Sequence, residues 1–174
     1  MDAYVFITTA TATAVSTLGA GAGSTGPARV VLPVTGSHAL FVAVEATTDA
    51  DLNDGVTGVT GSAGISGVST FLAANVGVTF PMPVHSTVDS YLGLALLDTV
   101  PGLSVVVRDA ATAIDGVTGA AVVAGAGYSV LVEVTAADAD SVALLLNQVA
   151  GLTGVRAVAT SVGATALGFG LTTS

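Results

Sequence analysis

The side chains able to do chemistry are few, and the context of each limits what it can do. His38 and His85 are the only histidines, and neither has a second metal-ligating residue close by in sequence. A turn or surface position explains them better than a metal or proton-transfer site. Tyr128 follows Gly127 at what reads as a hairpin edge, where a tyrosine packs more often than it stacks on a ligand. The run DADLND places Asp49, Asp51 and Asn53 at the spacing of the first ligands of a calcium loop. The next position should be glycine and is Asp54, and Thr60 stands where the bidentate glutamate belongs. Helix capping accounts better for these carboxylates.

GAGAGSTG contains the glycine pattern of a dinucleotide site as Gly21, Gly23 and Gly26. That chemistry needs the glycines directly after a strand and opening a helix, so that backbone N–H groups meet the pyrophosphate. Here several residues intervene after AYVFITTA and a strand follows, so the pattern is weak. A P-loop or a Schiff-base mechanism needs a lysine, and the chain has none. Cysteine is absent too, which removes thiolate nucleophiles, thiolate metal sites and disulfides. No nucleophile elbow of the G-x-S-x-G type occurs. No cofactor is expected.

The background to these residues is a chain of 174 residues that is 52% hydrophobic and only 9% charged. A typical soluble domain carries roughly 25% charged residues. Such a composition supplies a packed core easily and does not describe a disordered chain. Its faces have little charge to keep them apart, so either Thr and Ser carry the solubility or much surface is buried between subunits. The formal net charge is −9, and the basic residues are Arg29, Arg108 and Arg156 alone. Three scattered arginines do not build the footprint needed to neutralise phosphates, so direct nucleic-acid binding is not expected. No signal peptide and no run of about 20 predominantly apolar residues is seen, so a cytoplasmic location without a membrane span is expected.

The elements that must position these residues come twice. A shift of 90 places AYVFITTA (3–10) on GLALLDTV (93–100), both reading as buried strands. TAVSTLGAGAG falls on LSVVVRDAATA as a helix, glycine-laden in its first copy. ARVVLPVTG and HALFVAVEA (28–36, 38–46) fall on TGAAVVAGA and YSVLVEVTA (118–126, 128–136), each pair a hairpin with a glycine-containing turn. Thr48 or Asp49 in one copy and Asp138 in the other can cap the next helix. SVALLLNQVAGL reads as a strong helix, whereas its counterpart is weakened by Gly55, Gly58, Gly61 and Gly64. SGVSTFLA and TGVRAVATSV supply a last strand each. The expected fold is therefore α+β: two tandem ferredoxin-like βαββαβ units, each a four-stranded antiparallel sheet with helices on one face, packed as a pseudo-dimer. The first unit spans 1–74, a linker 75–89, and the second unit with a C-terminal tail 90–174.

The pattern resembles the ligand-sensing domain of the Lrp/AsnC family of transcription regulators. Its carriers are Val34, Thr35, Gly36, Leu40, Val42, Val44, Ala46, Asp49 and Leu52, then Gly67, Val68 and Thr70. In the second copy they are Val130, Val132, Val134, Ala136, Asp138 and Val142, then Gly154, Val155 and Thr160. The resemblance implies sheet-to-sheet pairing, assembly into rings, and a small effector such as an amino acid near the hairpin turns. It places a ligand near Thr35, Gly36, Ser37 and His38, and near Gly125, Ala126, Gly127 and Tyr128. No helix-turn-helix segment is present. The acidic residue usual after the turn is replaced by Ala39 and Ser129.

Three functions compete. The first is an oligomeric small-molecule binding or regulatory module without its own DNA-binding domain, which partners itself and a small ligand. The second is a structural protein that assembles into rings, tubes or shells. The third is a ferredoxin-like α+β barrel enzyme with His38, Tyr128 or an acid as proton carrier. An enzyme should show convergent polar groups, and nearly every acid here falls at a turn or helix start. A non-enzymatic role is therefore expected.

Overall fold

Strands whose two faces are both covered read as unbroken apolar runs rather than alternating ones, and this chain is built from such strands. The computed structural model describes residues 2–14, 17, 28–73 and 91–164. In chain order the elements are β1 (Asp2–Ala10), β2 (Ala28–Pro33), β3 (Thr35–Gly36), β4 (Leu40–Glu45), α1 (Asp49–Thr60) and β5 (Ile65–Ala73). There follow β6 (Tyr91–Thr99), α2 (Ser104–Thr112), β7 (Val117–Gly125), β8 (Tyr128–Ala136), α3 (Ala139–Ala150) and β9 (Val155–Ala164). The glycine-rich run 19–26, most of the expected helix over 13–23 and the expected linker 75–89 lie outside the described residues. No helix among the described residues is long and apolar enough to cross a membrane.

The sheet corrects the expected architecture. Instead of two separate four-stranded ferredoxin-like sheets stacked face to face, all nine strands form one sheet in the order β2-β4-β1-β5-β7-β8-β6-β9-β3. Every pairing is antiparallel. The end strands of that order, β2 and β3, are consecutive pieces of chain separated only by Val34. One segment thus pairs with β4 through Ala28–Pro33 and with β9 through Thr35 and Gly36, which wraps the sheet into a nearly closed barrel. The opposite seam is made where the end of β5, whose Phe71 and Leu72 pair with β1 on one side, pairs on the other through Phe71, Leu72 and Ala73 with Gly125, Ala124 and Val123. The physical reason is the unpaired backbone at each edge. A separate four-stranded sheet would leave two such edges, and here they satisfy one another.

The alternation along each strand then sorts side chains between two environments. Tyr4 and Phe6, Phe41 and Ala43, Leu92, Leu94 and Leu96, Ala121 and Val123, and Leu131 meet inside the barrel with Leu32, Val34 and Phe71. The intervening residues face the helices. On the first half Ala3, Val5, Ile7, Leu40, Val42 and Val44 pack under Leu52 and Val59 of α1. On the second half Ala95, Leu97, Val130, Val132 and Val134 pack under Val107 and Ala111 of α2 and Val142, Leu146 and Val149 of α3. Those helix residues recur at three- and four-residue spacings, the stripe of an amphipathic helix.

Capping fixes where the helices begin. Thr48 Oγ1 accepts the Asp51 N–H at 3.1 Å and donates to Asp51 Oδ2 at 2.7 Å, so the DADLND carboxylates belong to a helix start. Asp138 Oδ1 does the same for α3, accepting the Ser141 N–H at 2.7 Å, and that bond holds its carboxyl below the usual range. Despite Gly55 and Gly58, α1 is as long as α3, at 12 residues. Gly93 in β6 answers a different need: a Cβ there would lie 2.6 Å from Val142 Cγ1 and 2.8 Å from Val134 Cγ2.

Candidate functional site at the acid end of the barrel interior

The interior has two ends, and both carry polar groups. At one end the hairpin turn before β4 brings His38 against the last strand of the other half, its Nδ1 3.1 Å from Ser161 Oγ. Ser161 is buried, and the imidazole ring sits 4.9 Å from the Phe6 ring. Burial lowers the His38 pKa, so the ring is neutral at neutral pH. Aromatic contacts continue inward from Phe6 to Phe41 at 5.0 Å and to Phe71 at 5.8 Å, and from Phe71 to Tyr128 at 6.2 Å.

The residues expected to hold a ligand at the hairpins are the ones that make the seams. Thr35 Oγ1 donates to Val162 O at 3.2 Å, Gly36 pairs with Ser161, and the Ser37 N–H donates to Thr160 O at 2.9 Å. Gly36 has φ 115°, and a Cβ there would stand 2.6 Å from Thr160 O, so the seam requires glycine. Gly125 pairs with Phe71, where a Cβ would meet the Phe71 ring at 2.5 Å. Ala126 and Gly127 form the turn that returns to Tyr128. The fold therefore brings Thr35–His38 to β9 and Gly125–Tyr128 to β5, on two different seams.

The other end was not singled out by the sequence. Asp2 and Glu45 face each other across β1 and β4, two register steps beyond the Tyr4–Ala43 pair. Tyr4 lies inside the barrel with its ring 6.2 Å from Phe41, nearly parallel. Its phenol is pushed far above its ordinary pKa by burial, and the charges of Asp2, Glu133 and Glu45 add to that shift. These four groups, from strands of both halves, thus share one neighbourhood. Asp2 is also shifted upward, first by burial and then by Glu45, against the pull of the terminal amino group.

Glu133 is the unusual member. It lies in β8 on the face of Leu131, opposite Leu94, and is only 1% exposed. Its Oε1 accepts a 2.6 Å hydrogen bond from Thr118 Oγ1 in β7. Its Oε2 is buried with no hydrogen-bond partner among the described residues. Burial raises the carboxyl from 4.5 to about 7, and the Thr118 bond only partly offsets this. A buried carboxyl with one idle oxygen and a pKa near neutrality is poised to gain or lose a proton. The signal lay in YSVLVEVTA: an acid at an inward position of a strand whose neighbours are all buried. Among the described residues no three His, Cys, Asp or Glu side chains cluster so as to hold a metal ion.

A nearly closed antiparallel α+β barrel with a protonatable acid inside defines the class of protein. No family model and no curated protein matches the chain. Solved structures do. The siroheme decarboxylase NirDL matches with a TM-score of 0.70 at 8% identity, over 99% of this chain and 73% of that one. The same enzyme in complex with an iron-uroporphyrin III analogue matches equally, over 98% and 72%. An anthrone oxidase-like protein matches with a TM-score of 0.56 at 11% identity, over 94% and 90%. The likeness is one of fold. The neighbours share the Lrp/AsnC-like, ferredoxin-like type of chain path, which is as far as the resemblance to the sensing domains extends. They also correct the expectation of a non-enzymatic protein, because a decarboxylase and an oxidase-like protein are built on this fold.

Proposed function

We propose that this chain is a barrel enzyme that binds a small molecule at the acid end of its interior, with Glu133 as the proton carrier. The observation that supports this reading is the Glu133 carboxyl: 1% exposed, hydrogen-bonded through one oxygen and idle through the other. A general acid or base works best when its pKa lies near the working pH. At about 7, Glu133 is present in both forms at neutrality. Ionised, its Oε2 takes a proton from a bound molecule; protonated, it returns that proton to the same or a neighbouring atom, so the step balances without a further reactant. Tyr4 supplies a phenol that stays protonated and can donate a hydrogen bond to the oxygen or nitrogen where charge develops. Thr118 holds the carboxyl through Oε1 and leaves Oε2 for the ligand.

The test is a carboxyl-detected NMR titration of Glu133, with an expected midpoint near 7 that is lost in Glu133→Gln. A midpoint in the ordinary carboxylate range removes the proton-carrier reading.

A second reading, self-association, has an observation of its own. Val106 and Leu144, on α2 and α3 of the second half, are 58% and 64% exposed in a chain with little charge to keep copies apart. We propose that these outer helix faces support homo-oligomers held by burial rather than ion pairs. Sedimentation across a salt series tests this: the assembly should persist as salt rises, and dissociation by salt refutes it.

A further inference from the structure

The two halves of the barrel meet along two seams of unequal make. At one, Phe71, Leu72 and Ala73 of β5 pair with Gly125, Ala124 and Val123 of β7. Phe71 is fully buried there, and its ring packs on Phe6 and Tyr128. At the other, β3 offers two exposed residues, Thr35 and Gly36, to Val162 and Ser161. The bonds around it are polar: Thr35 Oγ1 donates to Val162 O, the Ser37 N–H donates to Thr160 O, and His38 Nδ1 meets Ser161 Oγ. A segment held by exposed hydrogen bonds opens at lower cost than one anchored by a core aromatic. Of the groups named at this seam, His38 is the one that takes up a proton near neutrality.

We propose that the turn Thr35–His38 is a pH-operated latch on the barrel: neutral His38 holds it against β9, and protonated His38 lets it swing away while the β5–β7 seam stays shut. The imidazole is half-buried between the Phe6 ring and Ser161. A charge formed there loses hydration and needs an anion in exchange. Among the described residues burial is the cause that lowers the His38 pKa, and no charged group contributes. Asp2 and Glu45 stand four register steps from the Phe6–Phe41 pair, at the far end of β1 and β4. Arg29 lies at the other end of β2, where the register shifts opposite Ala43 and Val44. On β9, Arg156 is paired with Asp98 at 2.6 Å, and Tyr128 of β8 packs on Phe71. Glu133 and Ser161 pair with Leu94 from opposite sides, so the width of β6 separates them. With its pKa raised to about 7, Glu133 is protonated first and is largely uncharged when the imidazolium forms.

The chain has no cysteine, so a single introduced thiol reports on its own site. Val34→Cys places one inside the barrel beside the latch, and Val123→Cys places one inside at the other seam. Labelling by a pyridyl disulfide, which reacts in acid, is followed in the native protein and divided by the rate in urea-unfolded protein at the same pH. Global unfolding exposes both thiols alike, so the difference between the two sites reads local opening. At about pH 5 the Val34→Cys site should label at least about tenfold faster than the Val123→Cys site, and the ratio should shrink severalfold by about pH 8. Adding His38→Gln, which stays neutral, should remove that pH dependence. Adding Ser161→Ala should speed labelling at Val34→Cys near neutrality. In the unsubstituted protein the Ser37 amide should exchange faster than the amides of Phe71–Ala73 after correction for intrinsic rates, and more so in acid. Equal labelling of the two sites, a ratio that stays level or falls in acid, or a pH dependence that survives His38→Gln overturns the proposal. So does an unchanged rate in Ser161→Ala, or equal exchange at the two seams.

Discussion

The two ends of the barrel interior treat their polar side chains in opposite ways. At the hairpin end His38 and Ser161 face each other at 3.1 Å, and neighbouring backbone groups stitch the seam. At the acid end Glu133 keeps a buried oxygen without a hydrogen-bond partner among the described residues. A satisfied buried pair holds a structure in register, whereas an unsatisfied one costs stability that packing elsewhere must offset. The difference teaches where to look for chemistry: at the end where bonding capacity is left over. It also gives the two ends opposite responses to pH.

The sharpest way to break the comparison is to unlatch the hairpin end. Phe71 is fully buried, packs on Phe6 and Tyr128, and lies in the seam strand beside Gly125. Phe71→Ala should cost about 3–5 kcal/mol in urea unfolding, the usual range for emptying a core aromatic site. A cost under about 1 kcal/mol would mean the seam contributes little, and the contrast between the ends would lose its structural half.

Next in size is the pH response of the acid end. Glu133 rises from 4.5 unfolded to about 7 folded, so the folded state holds the proton more tightly. Its contribution is fully present below 4.5 and is lost as pH rises through about 7. The loss should be on the order of 3 kcal/mol, absent in Glu133→Gln. Unfolding midpoints measured from acid to alkaline pH in both proteins check this. Parallel curves would remove Glu133 from the account.

The hairpin end should respond with the other sign and more weakly. His38 is lowered by burial, so its contribution is present above its unfolded value of 6.5 and is lost as pH falls through the folded value. Ser161→Ala removes the partner of Nδ1 and should cost about 1 kcal/mol near neutrality. If it also shifts the Glu133 titration, the two ends are coupled and the comparison must be redrawn.

Much of the chain path was legible because burial on both faces makes strands conspicuous. AYVFI, LALL and VLV are apolar at consecutive positions, and they lie in strands. The hairpin glycines marked turns, and SVALLLNQV announced α3 by its spacing. Propensity alone left α1 weak, yet it forms over 12 residues. There Thr48 capping and the burial of Leu52, Gly55 and Val59 override the glycines. Sheet continuity was not legible. Nothing in the residues of 35–36 or 71–73 says that they pair with the other half, because edge pairing is made by backbone and carries no side-chain signature. The acid end was half legible. Glu133 stood out of pattern in its strand, but that Tyr4 shares its neighbourhood follows only from closure of the barrel.

That closure has a consequence for how such a site can change over time. At the 90-residue shift that superposes the two halves of the sequence, Tyr4 corresponds to Leu94 and Glu133 to Ala43. The phenol comes from one half, the carboxyl from the other, and neither has a twin. Two identical chains related by symmetry would carry every substitution twice. A glutamate entering the interior would then face its own copy, and two carboxyls in one apolar space would have to share a proton. A single chain escapes that constraint. It can place one acid, opposite one phenol, and let selection act on each half separately.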